Sequence, residues 1–442
     1  MKFKILVLLS AAVAFISSAR NIDSITYKLQ ELVDKGYFNG SVVIMKDGKF
    51  LYNRNFGYSN PIENILHDDK SYYKIGSVSK TFTAALIFNL IEKKKLNLAT
   101  TLDLFFPEVV NARRITIEMM LMHRSGIHSY TNEEKYYQYY TKPIANQEII
   151  KEICSYPADF EPGEKFEYSN SNYFLLGLIA ERITGKTYCQ LINGLLPKNV
   201  RKNLICCIDT CNKNWVPSFI KNDSLWEKAP ETYPMVALGA GSLAATASGV
   251  ALFYDRLFYK KSILTNESLE KMTSFRDGVG MGVFKIPFYQ KVGYGHTGGI
   301  DGLRSIAVYF PDDNVTMVVL GNSITDISLN DVAIGVLSAF YGIPHSFNIP
   351  GSYVPEEKIL DACVGEYMSN DLPLDIKIFK KDGNKLFAQA TGQQAIRLNA
   401  ETDDRFTYKQ AGIVIEFKEM TEGKYQGFIL EQGGYRLQYQ RK

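Results

Sequence analysis

The residue pattern changes near residue 350, and that change limits the folds open to this 442-residue chain. Pro344, Pro350, Gly351 and Pro355 cluster there, as a linker requires. Beyond them, apolar residues alternate in short runs: Leu372, Leu374, Ile376 and Ile378, then Leu386, Ala388 and Ala390, with Lys381-Asp382-Gly383-Asn384 as a turn between them. Phe406/Tyr408, Ile413/Ile415/Phe417, Phe428/Leu430 and Tyr435/Leu437/Tyr439 continue the theme. Successive side chains of a strand point to opposite faces, so alternation marks strands with one buried face. Several such strands separated by turns predict a small antiparallel β-barrel or sandwich over 351–442. The chain is too long for one core, so a separate first domain is expected over 20–350.

That first domain reads as mixed α and β. A helix-like segment at 22–35 precedes two apolar runs, Ser41-Val42-Val43-Ile44-Met45 and Phe50-Leu51-Tyr52. The Asp47-Gly48 pair between them predicts a β-hairpin. Phe82, Ala85, Leu86 and Leu90 fall at helical spacing and predict an amphipathic helix over 82–91, with Lys93-Lys94-Lys95 suited to its C-terminus. Residues 115–265 read as mostly helical. The apolar run 315–320, bounded by Asn314 and Gly321, predicts a buried strand.

Met1-Lys2-Phe3-Lys4 followed by a 15-residue apolar run to Ala19 has the form of a signal peptide, with small residues Ser17 and Ala19 at the cleavage positions. Removal of residues 1–19 would leave an exported chain, periplasmic or secreted, with no membrane span. Lys+Arg 50 against Asp+Glu 47 gives a near-neutral chain with no general attraction for nucleic acid or anionic lipid. Six cysteines follow residue 19: Cys154, Cys189, Cys206, Cys207, Cys211 and Cys363. Cys206, Cys207 and Cys211 cluster, but without a C-x2-C spacing or a nearby histidine, so buried thiols or one local disulfide are expected rather than zinc.

Three stretches could carry chemistry. In Ser77-Val78-Ser79-Lys80, a helix opening at Ser77 places Lys80 one turn on, where a neutral amine can take the hydroxyl proton as Ser77 attacks a carbonyl. Partial burial would lower the lysine pKa to that end. The same spacing recurs at Ser71/Lys74, Ser218/Lys221 and Ser268/Lys271, but only Ser77 follows a glycine and opens a strongly apolar helix. Tyr168-Ser169-Asn170 precedes another helical run. A phenol beside a lysine can relay protons, and an amide can hold both the lysine and a substrate carbonyl. Y-x-N also occurs at Tyr58 and Tyr130, and Tyr130 competes with Tyr168. His296-Thr297-Gly298-Gly299 follows a glycine-rich stretch, where small residues let a substrate backbone approach and the N–H of Gly299 could join that of Ser77 as an oxyanion hole. His123 and His128 are poorly spaced for one metal, and Gly185-Lys186-Thr187 lacks the first glycine of a phosphate loop.

The order Ser77-x-x-Lys80, Tyr168-x-Asn170, His296-Thr297-Gly298 resembles the penicillin-recognising serine hydrolases: class C β-lactamases, D,D-carboxypeptidases, D-aminopeptidases and related esterases. The resemblance covers roughly residues 25–340 and extends to Leu121-Met122-His123-Arg124-Ser125-Gly126-Ile127, Glu161-Pro162-Gly163 and Ala240-Gly241-Ser242-Leu243. It implies an α+β fold, an antiparallel sheet flanked by helices with a helical lobe, and favours Tyr168 over Tyr130. It also implies roles. Ser77 is acylated, Lys80 and Tyr168 share the proton work, Asn170 orients substrate, and His296, Thr297 and Gly298 line the substrate strand. No metal or cofactor is implied. The expected substrate is a small D-amino-acid peptide such as a peptidoglycan stem, or an ester or β-lactam. A hydrolase that only binds cell-wall fragments is the reading of another class. The sequence departs from the family twice. Class C β-lactamases usually carry lysine where His296 stands, which favours peptidase or esterase chemistry. Ser248-Gly249 lacks an expected aspartate, which should disturb a helix cap.

Overall fold

The computed structural model describes residues 22–206, 216–222, 225–347, 353–369, 374–381, 383, 385–391, 395–408, 412–432 and 435–442. The basic start and apolar run, Cys207, Cys211, Pro350, Gly351, Leu372, Asp382 and Asn384 lie outside them. Among the described residues no helix is long and apolar enough to cross a membrane. The chain divides into two compact units. The larger runs to Thr325 and includes Val332–Pro344; the smaller holds Asp326–Asp331 and His345–Lys442.

Helix α1 (22–34) opens the larger unit. Strands β1 (Gly40–Lys46) and β2 (Lys49–Phe56) form the expected hairpin. Asp47 and Gly48 both have positive φ, the backbone that a two-residue hairpin turn of matching twist demands. The sheet is completed by β3 (Phe284–Phe288), β4 (Lys291–Ile300), β5 (Leu303–Phe310) and β6 (Val315–Gly321). Its order is β3-β4-β5-β6-β1-β2, antiparallel throughout, so the first strands pair with the last of this unit. All seven residues of β6 are buried, Thr316 among them, which accounts for its almost wholly apolar run. β3 stops opposite Gly295, so beyond that residue one edge of β4 passes free of β3.

The helix predicted over 82–91 is longer than expected and is not amphipathic. Helix α2 (Ser79–Glu92) is buried from Ser79 to Phe88 on every side, because the sheet unit encloses it among other helices. Phe82 stacks on Phe253 with ring centroids 3.6 Å apart. The amphipathic reading failed because Thr83, polar in sequence, is buried, and Ser79 and Thr81, ahead of the predicted span, belong to the same helix and are buried too. Thr83 donates to the carbonyl of Gly239, and Thr81 to that of Gly282. Ser248-Gly249 does not spoil the neighbouring cap: Thr246 accepts the Gly249 N–H at 3.1 Å and opens the helix Ala247–Tyr254 without an aspartate.

The smaller unit is a nearly closed nine-stranded antiparallel barrel sheet. Strand Gly365–Met368 pairs with the last strand, Tyr435–Arg441, across the whole length of the unit. Tyr367, Phe406, Phe417, Phe428 and Tyr439 fill its interior.

Candidate active site

A tight 3-10 turn, Gly76–Val78, precedes α2, so Ser77 stands just before the α-helix rather than opening it. Gly76 takes φ +49°, and the N–H of Val78 closes back on the carbonyl of Ile75 at 3.2 Å. Lys80, three residues on in α2, falls on the same face as Ser77. The Lys80 Nζ lies 3.0 Å from Ser77 Oγ. Helices α3 (Tyr136–Tyr139), α4 (Asn146–Ser155) and α5 (Asn170–Thr184) build the lobe opposite the sheet. Residue 168, immediately before α5, brings its phenol in from the other side: Tyr168 OH donates to Ser77 Oγ at 2.8 Å.

Lys80 is fully buried, and its other two contacts are carbonyl oxygens, Asn170 Oδ1 at 2.8 Å and Ala240 O at 2.7 Å. Neither oxygen can donate a proton. A neutral amine therefore satisfies the site: two N–H groups go to the carbonyls, and the lone pair faces Ser77. Burial pushes the Lys80 ammonium well below its ordinary pKa, in the direction that leaves the amine neutral. Burial pushes the Tyr168 phenol the opposite way, upward, with the hydrogen bond to Ser77 a smaller opposing effect, so it stays protonated.

Asn170 is held on both sides. Its N–H donates to Ser129 Oγ at 3.0 Å and its Nδ2 to Thr131 Oγ1 at 2.8 Å. The loop carrying both is pinned by His128, which lies between Asp159 at 2.8 Å and Glu133 at 3.0 Å. His123, one of two histidines set aside as metal ligands, lies flat against Tyr168 with centroids 4.3 Å apart. The N–H of Ser169 donates to its Nδ1 at 3.1 Å.

β4 runs beside the turn. A Cβ at Gly76 would stand 3.0 Å from the nitrogen of Gly299, and one at Gly298 3.0 Å from the nitrogen of Ser77. Ser77 and Gly299, the residues named for an oxyanion hole, both line one cavity. His296 is buried. Its Nδ1 donates to the carbonyl of Thr297 at 2.5 Å, and its Nε2 is buried without a hydrogen-bond partner among the described residues. Burial, reinforced by Lys80, lowers it to about 3. It stands 6.3 Å, ring to ring, from Tyr168, and Thr297 is exposed.

The competing stretches resolve differently. Tyr130 is buried and donates to the carbonyl of Val236, away from Lys80. The Oγ of Ser71 serves Asp68, and Ser268 lies in a cap with Thr265. Sequence reasoning did not find Ala240 O, Thr131 or the stacking of His123. A backbone carbonyl leaves no mark in a sequence, and the other two act through contacts some 40 residues away.

A β-lactamase family model matches residues 26–198. The chain has the fold of the penicillin-recognising serine hydrolases. Penicillin-binding protein 4* of Bacillus subtilis (strain 168) is 24% identical over 442 aligned residues, 92% of this chain and 95% of that protein. Protein flp of Staphylococcus aureus (strain MW2) is 32% identical, over 40% of this chain and 35% of its own. The D-amino acid amidase of Ochrobactrum anthropi SV3, solved with D-phenylalanine, superposes with TM-score 0.66 at 20% identity, covering 72% of this chain and 98% of its own. The octameric penicillin-binding protein homologue of Pyrococcus abyssi also reaches 0.66, at 22% identity, covering 94% and 99%. The family match and the Bacillus relative make this penicillin-recognising fold a serine hydrolase.

Proposed function

We propose that Ser77 is the nucleophile of an acyl-enzyme mechanism on D-amino-acid amides or peptides. The observation that carries this reading is the meeting of Lys80 Nζ and Tyr168 OH on one oxygen, Ser77 Oγ. As Ser77 Oγ bonds to the carbonyl carbon, its proton passes to the Lys80 lone pair. The carbonyl oxygen becomes an oxyanion, held by the N–H groups of Ser77 and Gly299. Asn170 holds Lys80 and orients the substrate amide, which lies along the open edge of β4 at Thr297 and Gly298. Tyr168 gives its proton to the departing nitrogen or oxygen, and the proton that Lys80 took from Ser77 returns to the Tyr168 phenolate, leaving Lys80 neutral again. Water then attacks the acyl carbon, the same groups running in reverse. Export through residues 1–19 would place the enzyme beside peptidoglycan.

The test is covalent labelling. Purified protein treated with a fluorescent penicillin or a fluorophosphonate should gain one adduct mass on the peptide containing Ser77, and Ser77→Ala should abolish both adduct and turnover. Turnover that survives Ser77→Ala, or an adduct on another serine, would refute the assignment.

A further inference from the structure

Beside Ser77 opens a cavity of about 430 Å3, and three tyrosines from one short segment, Tyr136, Tyr137 and Tyr140, line it together with Tyr130. They pack as one group. Tyr136 lies 5.5 Å from Tyr140 and 28° off parallel, edge-on to Tyr137 at 5.5 Å, and 5.9 Å from Tyr130. The group is anchored from behind. The N–H of Tyr233 donates to the carbonyl of Tyr140 at 2.7 Å, and Lys135 reaches the buried carboxylate of Glu152 on α4 at 3.5 Å. Its front is open: Tyr137 is 67% exposed. One exposed aromatic is ordinary, but a braced set of them facing a cavity that also contains the nucleophile is a binding surface.

The charge of this cavity is equally informative. No lysine, arginine or histidine is among the described residues that line it. Its one lining carboxylate, Asp301, is buried and engaged by Lys74 at 3.0 Å and by Thr232 Oγ1 at 2.6 Å. Nearby, His296 has its Nδ1–H committed to a backbone carbonyl. Among the described lining residues none is a cation, and Arg304, whose Nη1 would lie 3.5 Å from a Cβ on Gly299, is turned to the carbonyls of Asp301 and Leu303, while the tyrosine faces offer a large apolar surface with little conformational freedom to lose.

We propose that the tyrosine-lined cavity seats an aromatic, uncharged group of the substrate, so that the preferred substrates are amides or esters bearing an aromatic acyl side group and no free carboxylate. This rests on the acyl-enzyme reading above and narrows it, away from carboxypeptidase action on free D-Ala termini.

The experiment compares kcat/KM for p-nitrophenyl phenylacetate with p-nitrophenyl acetate, and for an acyl-D-Ala-D-Ala peptide with its methyl ester. The wild type should favour the phenylacetyl ester and should not favour the free peptide acid. Tyr137→Ala and Tyr140→Ala should each reduce the phenylacetyl-to-acetyl ratio by about tenfold, the scale expected for losing one apolar wall of a pocket. Tyr137→Phe keeps the ring and should keep the ratio. Melting curves identify any variant that is merely unfolded, and Tyr137 is exposed enough to replace safely. Fluorophosphonate labelling of Ser77 is measured on every variant. Ser77 labelled but the ratio unmoved in both alanine variants, or the free acid preferred tenfold over its ester, overturns this inference alone. Unlabelled Ser77 in the wild type overturns it together with the reading it rests on.

Discussion

Lys80 has three polar neighbours and no solvent, and its chemistry follows from that. Because burial lowers its pKa, the neutral base is available below the ordinary lysine range. The rate of acylation should therefore rise with pH along a limb set by Lys80 and level off well before lysine normally titrates. Lys80→Met should remove that limb and reduce acylation by a factor on the order of 10^3. A profile identical in wild type and variant would remove Lys80 from the proton path. The same shift has a sign for stability. Between the lowered folded pKa and the unfolded value, the unfolded chain binds the extra proton, so this group's contribution to stability improves as pH rises through that window. His123 acts at one remove, as a positioning residue for Tyr168. His123→Ala should lower kcat about tenfold or more with little change in KM, and His123→Phe, which keeps a ring against Tyr168, should restore part of it. The expected signature is a displaced pH limb in the alanine variant; a pure loss of folded protein would contradict the positioning role. At this scale the sequence was informative wherever partners are local. Ser77 and Lys80 are three residues apart, and Gly76 before them signals the turn. Tyr168 could be told from Tyr130 only by family order, since both carry the same Y-x-N spacing and only the fold sends one phenol to Ser77 and the other to Val236.

At the scale of elements, the decisive contact is between the 3-10 turn and β4. Gly76 holds a backbone that costs a residue with a Cβ roughly 1–2 kcal/mol. A Cβ there would also meet the backbone of Gly299 at 3.0 to 3.1 Å. At Gly298 the crowding is worse, with the carbonyl of Ile75 2.2 Å away. Gly76→Ala should thus do two separable things: lower the melting temperature by a few degrees, and reduce kcat by about a hundredfold by spreading the two backbone nitrogens. Stability loss without the larger kcat loss would show that Ser77 and Gly299 do not act as a pair. The hairpin of β1 and β2 was legible because Asp47-Gly48 encodes its own turn. The turn at Gly76 was legible as a turn but not in its 3-10 form, since nothing in Ser77-Val78-Ser79 distinguishes it from a first helical turn. Nor was the burial of α2: its threonines are polar in isolation, and only the carbonyls of Gly239 and Gly282, brought from more than 150 residues away, make them core residues.

At the scale of the whole molecule, the alternating runs after residue 350 announced strands, but not how the sheet closes. Arg441, one residue from the C-terminus, does much of that. Its Nη1 donates to the carbonyl of Val364 at 2.8 Å, its Nη2 to that of Ala362 at 2.8 Å, and its Nε to that of Tyr425 at 2.6 Å. The first two carbonyls end the helix Glu357–Cys363, and the third lies in the strand Lys424–Gln432. One planar cation thus ties the start of the smaller unit to its end, over the ring of Tyr367 at 4.9 Å. A lysine has too compact a head to serve three carbonyls fixed in this fork. Arg441→Met leaves those carbonyls without their donor and should cost the smaller unit about 1–3 kcal/mol. Arg441→Lys should recover only part of it. Amide hydrogen exchange on the full-length chain reads this directly: protection along Gly365–Met368 and Tyr435–Arg441 should fall about tenfold or more in Arg441→Met, with β6 of the larger unit unchanged as the internal reference. Equal protection in wild type and variant would mean that the aromatic interior alone closes the barrel, and that the arginine is a passenger on its rim.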